Sequence, residues 1–312
     1  MFNFIYKNIH LLSFGFLIAF SSGFGQTFFI SLFSNDFRET FKLSNTEFGS
    51  IYSIATVLSA ITIIWAGKLI DTINLKKYTL TIVFGMAMTC LMASLVFNIF
   101  FLFLTIYFLR LFGQGLMGHT SRTTMARYFN TNRGKALAIS AFGFSVGEMV
   151  YPIVIVFLIL TIGWRLTWLS SSIFIFFILG LIFYYLLRNN NFKIENNFNS
   201  EIEFQQVSWR RRDVLKDAKF YIYLPLTLLM SFIVTGFLFH QLFIADIRSW
   251  NVINLAQSFI FFAISGLIGS VISGLLVDKF SGRKLIPFHL IPIAIILVSL
   301  LLTNHIFILY VY

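Results

Sequence analysis

The chain has 312 residues, 58% of them hydrophobic and only 11% charged, with a mean hydropathy of +0.86. A soluble domain carries about 25% charged residues, so this composition excludes a water-facing fold and points to an all-α membrane protein. The net charge of +11 would suit a nucleic-acid binder, but the cations are segregated by side of the membrane rather than clustered on one surface, and the lone Cys90 can form no internal disulfide.

Charge-free apolar runs of about 20 residues or more predict spanning helices. Helix one is expected over residues 9–33, two over 47–67, three over 77–97, four over 100–122, five over 134–159 and six over 165–187. The first apolar stretch, which begins near residue 11, is too long for a signal peptide and lacks a small-residue cleavage site, so it is read as helix one. A polar stretch, 188–218, follows, with Asn189-Asn190-Asn191 and Arg210-Arg211-Arg212. It is too polar to fill a bilayer, and its end from Trp209 to Lys219 suits a short helix on an anionic lipid surface. Helix seven is expected over 220–244, eight over 252–275 and nine over 284–303, and a tenth apolar stretch starts at Ile306.

Alternating the sides gives a strong bias. Eighteen of the 23 lysines and arginines fall on the side of the N-terminus, while Arg38, Lys42, Arg165 and Arg248 fall on the other and Arg110 lies within a span. The positive-inside rule therefore puts the N-terminus in the cytoplasm of a cell with the chain in its inner membrane.

One loop occurs twice. Gly67-Lys68-Leu69-Ile70-Asp71, leading to Lys76 and Lys77, recurs as Gly274-Leu275-Leu276-Val277-Asp278, leading to Gly282, Arg283 and Lys284. Both copies join two apolar spans on the same side, the mark of a duplicated helix bundle. Helix four adds Arg110-Leu111-Phe112-Gly113-Gln114-Gly115, and Arg127-Tyr128-Phe129 with Arg133-Gly134-Lys135 precedes helix five.

Together these motifs resemble the major facilitator superfamily, over nearly all of residues 9–303. The resemblance implies a two-bundle helical fold of twelve helices, of which about nine are complete here, so a C-terminal truncation is expected. The bundles would be residues 1–188 and 219–312, joined by a cytoplasmic linker at 189–218. It also implies alternating access, with Gly67, Asp71, Lys76, Lys77 and their second copies latching the bundles on the cytoplasmic side. Asp278 is then expected near Arg133–Lys135, and Asp71 is expected to lack its partner on an eleventh helix. Gln26 and Gln114, on helices that line the cavity in this family, become candidate substrate ligands. The family's drug–proton antiporters carry Gly-x-x-x-Gly-Pro in helix five. Here Gly143 to Gly147 is followed by Glu148, which argues against drug efflux.

Arg110 and Glu148 are the only formally charged residues deep in the spans, and at about 1.5 Å per residue they sit at similar depth. A charge there costs roughly 2.5–3.5 kcal/mol against lipid, so both should face the bundle interior. Two readings stand: a buried ion pair that pins helix four to helix five, or an anion site at Arg110 with a proton site at Glu148. The second suits proton-coupled symport of a small organic anion. An exporter of neutral or cationic compounds and a non-transporting membrane protein are the alternatives. No phosphate-binding Gly-x-x-x-x-Gly-Lys-Ser/Thr loop, metal cluster or nucleophile constellation is present. No cofactor and no enzymatic activity are expected.

Overall fold

The computed structural model describes residues 2–129, 132–188, 211–280, 282–288 and 290–302. Among these there are helices and turns but no strand. Seven helices are long and apolar enough to cross a membrane: Asn45–Asp71, Leu75–Ser94, Ile99–Tyr128, Arg133–Ile162, Trp164–Leu186, Ala218–Phe239 and Val252–Ser270. They are helices two to eight of the sequence. Helix one completes a set of eight as two pieces, Ile9–Gly25 and Thr27–Phe41, bent by 45°. The expected helix nine is helical over Ile291–Leu302, 12 residues, preceded by a turn of 3-10 helix at Ile286–Phe288. Twelve residues rise about 18 Å, short of the roughly 30 Å of hydrocarbon, so the described residues hold eight complete spans rather than nine. Pro287 sits in that 3-10 turn, where its missing N–H and fixed φ prevent one continuous helix.

Local chemistry sets the helix ends. Ser44 and Glu47 form a reciprocal capping box at the start of helix two, with Ser44 N–H donating to Glu47 at 2.8 Å and Glu47 N–H to Ser44 at 3.2 Å. Asn98 caps helix four, accepting from the Phe101 N–H at 2.7 Å. Helices five and six are joined by Gly163 alone, at φ +80°, a conformation open to glycine and costly for other residues.

The packing is inverted relative to a soluble protein. Large apolar side chains stand on the outside, as with Phe157 at 65% exposure and Leu181 at 67%. Many buried hydroxyls bond to backbone carbonyls, although those of Thr56, Thr79 and Thr124 have no partner among the described residues. Thr105 and Thr120 donate to carbonyls one turn back, while Ser172 reaches the Ala87 carbonyl of helix three at 2.7 Å. In hydrocarbon such groups must bond within the bundle. The centre of the first six helices is aromatic, with Phe24, Phe29, Phe33, Tyr151 and Trp168 in mutual ring contact. Helix five packs along helix one, and a Cβ on Gly143 would lie 2.1 Å from the Phe16 carbonyl oxygen. Only a glycine permits that approach.

Within the polar stretch before helix seven, Arg211–Lys216 is a short helix, while residues 189–210 lie outside the described part. Helix seven ends at Phe239, and Gln241–Ile247 forms a separate helix after a break at His240.

Candidate functional site

The break in helix one is the centre of the site. Ser22–Gly25 tightens into 3-10 helix, Gln26 adopts an extended conformation (φ −82°, ψ 157°), and the helix restarts at Thr27. Opposite it, Arg110–Met117 of helix four winds as π-helix. The two irregular stretches cross backbone to backbone. A Cβ on Gly25 would stand 2.0 Å from the Leu109 carbonyl oxygen, and one on Gly113 would stand 2.5 Å from Gly25 Cα. Irregular backbone inside a bundle and π-turns are both concentrated at functional sites.

Arg110 reaches from the π-turn into the break. It is 5% exposed. Its Nη1 donates to the Gly25 carbonyl at 3.2 Å and to Thr27 Oγ1 at 3.3 Å. The guanidinium carbon lies 5.3 Å from the Tyr52 ring centre, and the Tyr52 hydroxyl donates to the same Thr27 Oγ1 at 2.8 Å. All these partners are neutral, and Nε has no hydrogen-bond partner among the described residues. The positive charge is therefore held in place without being neutralised by a carboxylate.

Glu148 does not supply that carboxylate. No ion pair joins it to Arg110, so the expected helix four to helix five salt bridge is absent among the described residues. Counting along the helices predicts a similar depth for the two, but Arg110 turns to the broken stretch of helix one instead. Glu148 is half-buried on helix five, with no hydrogen-bond or ion-pair partner among the described residues. It follows Phe144 by one turn, and Phe144 contacts Phe28 of helix one, which in turn meets Phe259 of helix eight. Gln26 is half-buried at the break itself, and Gln114 is exposed on helix four. The structure brings Arg110 and Gln26 to one locus, with Glu148 on the helix-five side of it.

The first signature loop is folded as 3-10 helix over Gly67–Asp71, with Gly67 buried. The Asp71 carboxylate is paired with Arg127 at the end of helix four, and Arg127 Nη1 also donates to the Ile70 carbonyl at 3.2 Å. The resemblance predicted only that Asp71 lacks a partner on an eleventh helix, and the tertiary structure pairs it with Arg127 of helix four. Asn74 caps helix three by accepting from Lys76 N–H at 2.9 Å; the Lys76 ammonium lies 3.8 Å from the Tyr184 ring centre, and Lys77 is exposed. In the second copy, Asp278 ends helix eight and Gly282, Arg283 and Lys284 form one turn. The side chains of Asp278 and Arg283 lie outside the described part, and with them the expected approach of Asp278 to Arg133–Lys135.

At the end away from these loops, helix one meets helix seven and the segment after it. Gln241, 1% exposed, donates to the Phe28 carbonyl at 3.0 Å and to Ser31 Oγ at 2.7 Å. Asn35 donates to Asp246 at 3.1 Å. Phe239 stacks on Phe48 at 5.5 Å between ring centres and touches Tyr52 at 4.6 Å. Tyr52 links this aromatic cluster to Arg110, whose guanidinium carbon lies 5.3 Å from its ring centre. At the loop end a cavity of about 550 Å³ is lined by residues of helices one, four, five and eight. These far-end contacts, sequence reasoning did not find. Gln241 was visible as a polar residue in an apolar span, but nothing local paired it with a carbonyl 213 residues away.

The family model for the Major Facilitator Superfamily matches residues 15–312. The chain belongs to the major facilitator superfamily. Among solved structures, 24 chains match. One is described as a bacterial homolog to the human lysosomal transporter Spinster, in an inward-facing and unoccupied conformation, with TM-score 0.66 and 17% sequence identity. The match covers 88% of this chain and 64% of that one, so this chain spans less than two thirds of that structure's length. At this identity the likeness is one of fold. A search of the curated proteins finds no match.

Proposed function

We propose that the protein is a secondary transporter that moves a small organic anion, together with a proton, across a cytoplasmic membrane by alternating access. In this reading the chain divides into bundles at residues 1–188 and 219–312 about the 189–218 linker, and the loop end, with the N-terminus, faces the cytoplasm. Arg110 binds the anion, Gln26 and Gln114 supply hydrogen bonds to it, and Glu148 carries the proton.

The observation that carries this is the state of Arg110. A buried guanidinium held by a carbonyl, a hydroxyl and the face of the Tyr52 ring is a fixed cation with capacity for a planar anion. It sits where one helix is broken and its neighbour is π-wound, the setting in which transporters place their ligands. Glu148, free of any cationic partner, is suited to exchange a proton.

The test is uptake into proteoliposomes of radiolabelled succinate, gluconate and sulfonated analogues under an imposed proton gradient. Arg110→Ala is expected to remove saturable uptake of the transported anion. Glu148→Gln is expected to leave exchange and remove its dependence on the gradient. If both variants keep wild-type affinity and pH dependence, the reading is wrong.

A further inference from the structure

The cavity at the loop end has a chemistry of its own. It is about 550 Å³, within the usual range for ligand sites. Among the described residues its lining carries the hydroxyls of Ser22, Ser121, Ser140, Ser145 and Ser270 and one cation, Arg122, with no aspartate or glutamate. Arg122 is exposed, and among the described residues no hydrogen bond or ion pair reaches its guanidinium. Its neighbour on helix four, Arg127, is by contrast consumed by Asp71 and the Ile70 carbonyl.

The cavity also leads toward Arg110. Its floor residue Ser22 abuts the glycine crossing, since a Cβ on Gly113 would lie 3.3 Å from the Ser22 carbonyl oxygen. Arg110 bonds to Gly25 at that same crossing. Arg122 and Arg110 are twelve residues apart on helix four, or roughly 18 Å along its axis. That spacing makes the two cations separate stations along one helix. The hydroxyl-lined wall between them offers neutral hydrogen bonds. Ser121 and Ser140 bond to one another and Ser121 donates to the Gly15 carbonyl at 2.8 Å, so these two are fixed, while the Ser145 hydroxyl has no partner among the described residues.

We propose that Arg122 is an anion-collecting subsite at the mouth of the cavity, selecting negatively charged solutes before they reach Arg110. This rests on the orientation and anion reading above and extends it to a second residue. A low-dielectric cleft lined by one sign of charge raises the local concentration of the opposite ion by roughly tenfold or more.

The test needs no knowledge of the cargo. The native Cys90 is fully buried, so Ser145→Cys and, separately, Ser270→Cys each offer one reactive thiol. Modification rates are measured with anionic sulfonatoethyl, cationic trimethylammonioethyl and neutral methyl methanethiosulfonate, each scaled to its rate with a free thiol. The anionic reagent is expected to react roughly tenfold faster than the cationic one. Adding Arg122→Gln should collapse that ratio toward one and leave the neutral rate unchanged, which also certifies the fold; Arg122→Lys should keep the preference. An unchanged ratio in Arg122→Gln, a cationic preference, or a Ser145→Cys thiol closed to all three reagents overturns the proposal. Failure of the Arg110 reading appears in the uptake assay and leaves the labelling ratio untouched, so the two are separable.

Discussion

Thr27 is the residue on which the site turns. Its Oγ1 accepts from Arg110 and from the Tyr52 hydroxyl at once. Thr27→Val keeps the shape and removes the acceptor for both, leaving two buried donors short of a partner at roughly 1–3 kcal/mol each. A lowered melting temperature in detergent and weakened anion uptake are expected, with Thr27→Ser restoring most of both. A melting temperature equal to wild type would show that Arg110 finds its partners elsewhere. Gly25→Ala is a harsher change. The new Cβ meets backbone on two sides, at 2.0 Å from the Leu109 carbonyl oxygen and 2.7 Å from Gly113 Cα. Neither can step aside as a side-chain tip would, so the crossing of helices one and four must open, at a cost above the about 1–3 kcal/mol of ordinary overpacking. Expression and monodispersity by size exclusion would register it, and a well-folded variant would contradict the crossing.

At the scale of elements, the signature loop is fastened to its own bundle by Arg127. The pair is largely exposed, with side chains at 36% and 59% accessibility, so it contributes about 0–1 kcal/mol to stability. Its effect should be local. Arg127→Gln is expected to leave the melting temperature within a degree or two while speeding amide exchange across residues 67–77, read by hydrogen–deuterium exchange. Equal exchange in the variant would mean that the Asn74 cap and the Tyr78 bond to the Ala66 carbonyl hold the loop by themselves. The break in helix one is the element that the apolar pattern hid. Every residue from Leu11 to Phe33 is uncharged, so hydropathy reads one helix. Only Gly23, Gly25 and Gln26 hint at the interruption, and what enforces it is the π-turn pressing on Gly25 from helix four. Helix seven was likewise read through His240, where the chain breaks and turns Gln241 back toward the Phe28 carbonyl.

On the scale of the whole molecule, the two ends differ. The far end is shut by Gln241, by Asn35 with Asp246, and by the Phe48–Phe239 stack, while the loop end holds the cavity between helices one, four, five and eight. That asymmetry is what one state of an alternating-access cycle requires. Asn35→Cys with Asp246→Cys, joined by a short bis-methanethiosulfonate linker, is therefore expected to stop uptake while leaving the labelling of a cavity cysteine unchanged. Uptake that survives the cross-link would mean the far end never opens. Gln241→Leu removes the hydrogen bonds to Phe28 and Ser31 from a fully buried position and should shift the population toward opening there, seen as faster labelling of a cysteine at Ser31. No gain in labelling would assign Gln241 to packing alone.

Membrane residence, the number and approximate limits of helices two to eight, the repeated loop and the superfamily were all determined by the sequence alone, because each depends on composition or on residues close together in the chain. About 20 apolar residues must span a bilayer whatever their neighbours, and a charged loop must sit outside it. The expectation of a similar depth for Arg110 and Glu148 followed from counting along their helices. Their relation did not. That Arg110 bonds the broken backbone of helix one, that Glu148 stands apart from it, and that Asp71 belongs to Arg127 were decided only by the tertiary structure. Each is set by the rotation and crossing of helices packed from distant parts of the chain. Rotation about a helix axis in a Phe-rich span leaves little trace in hydropathy, since lipid-facing and core-facing positions are equally apolar.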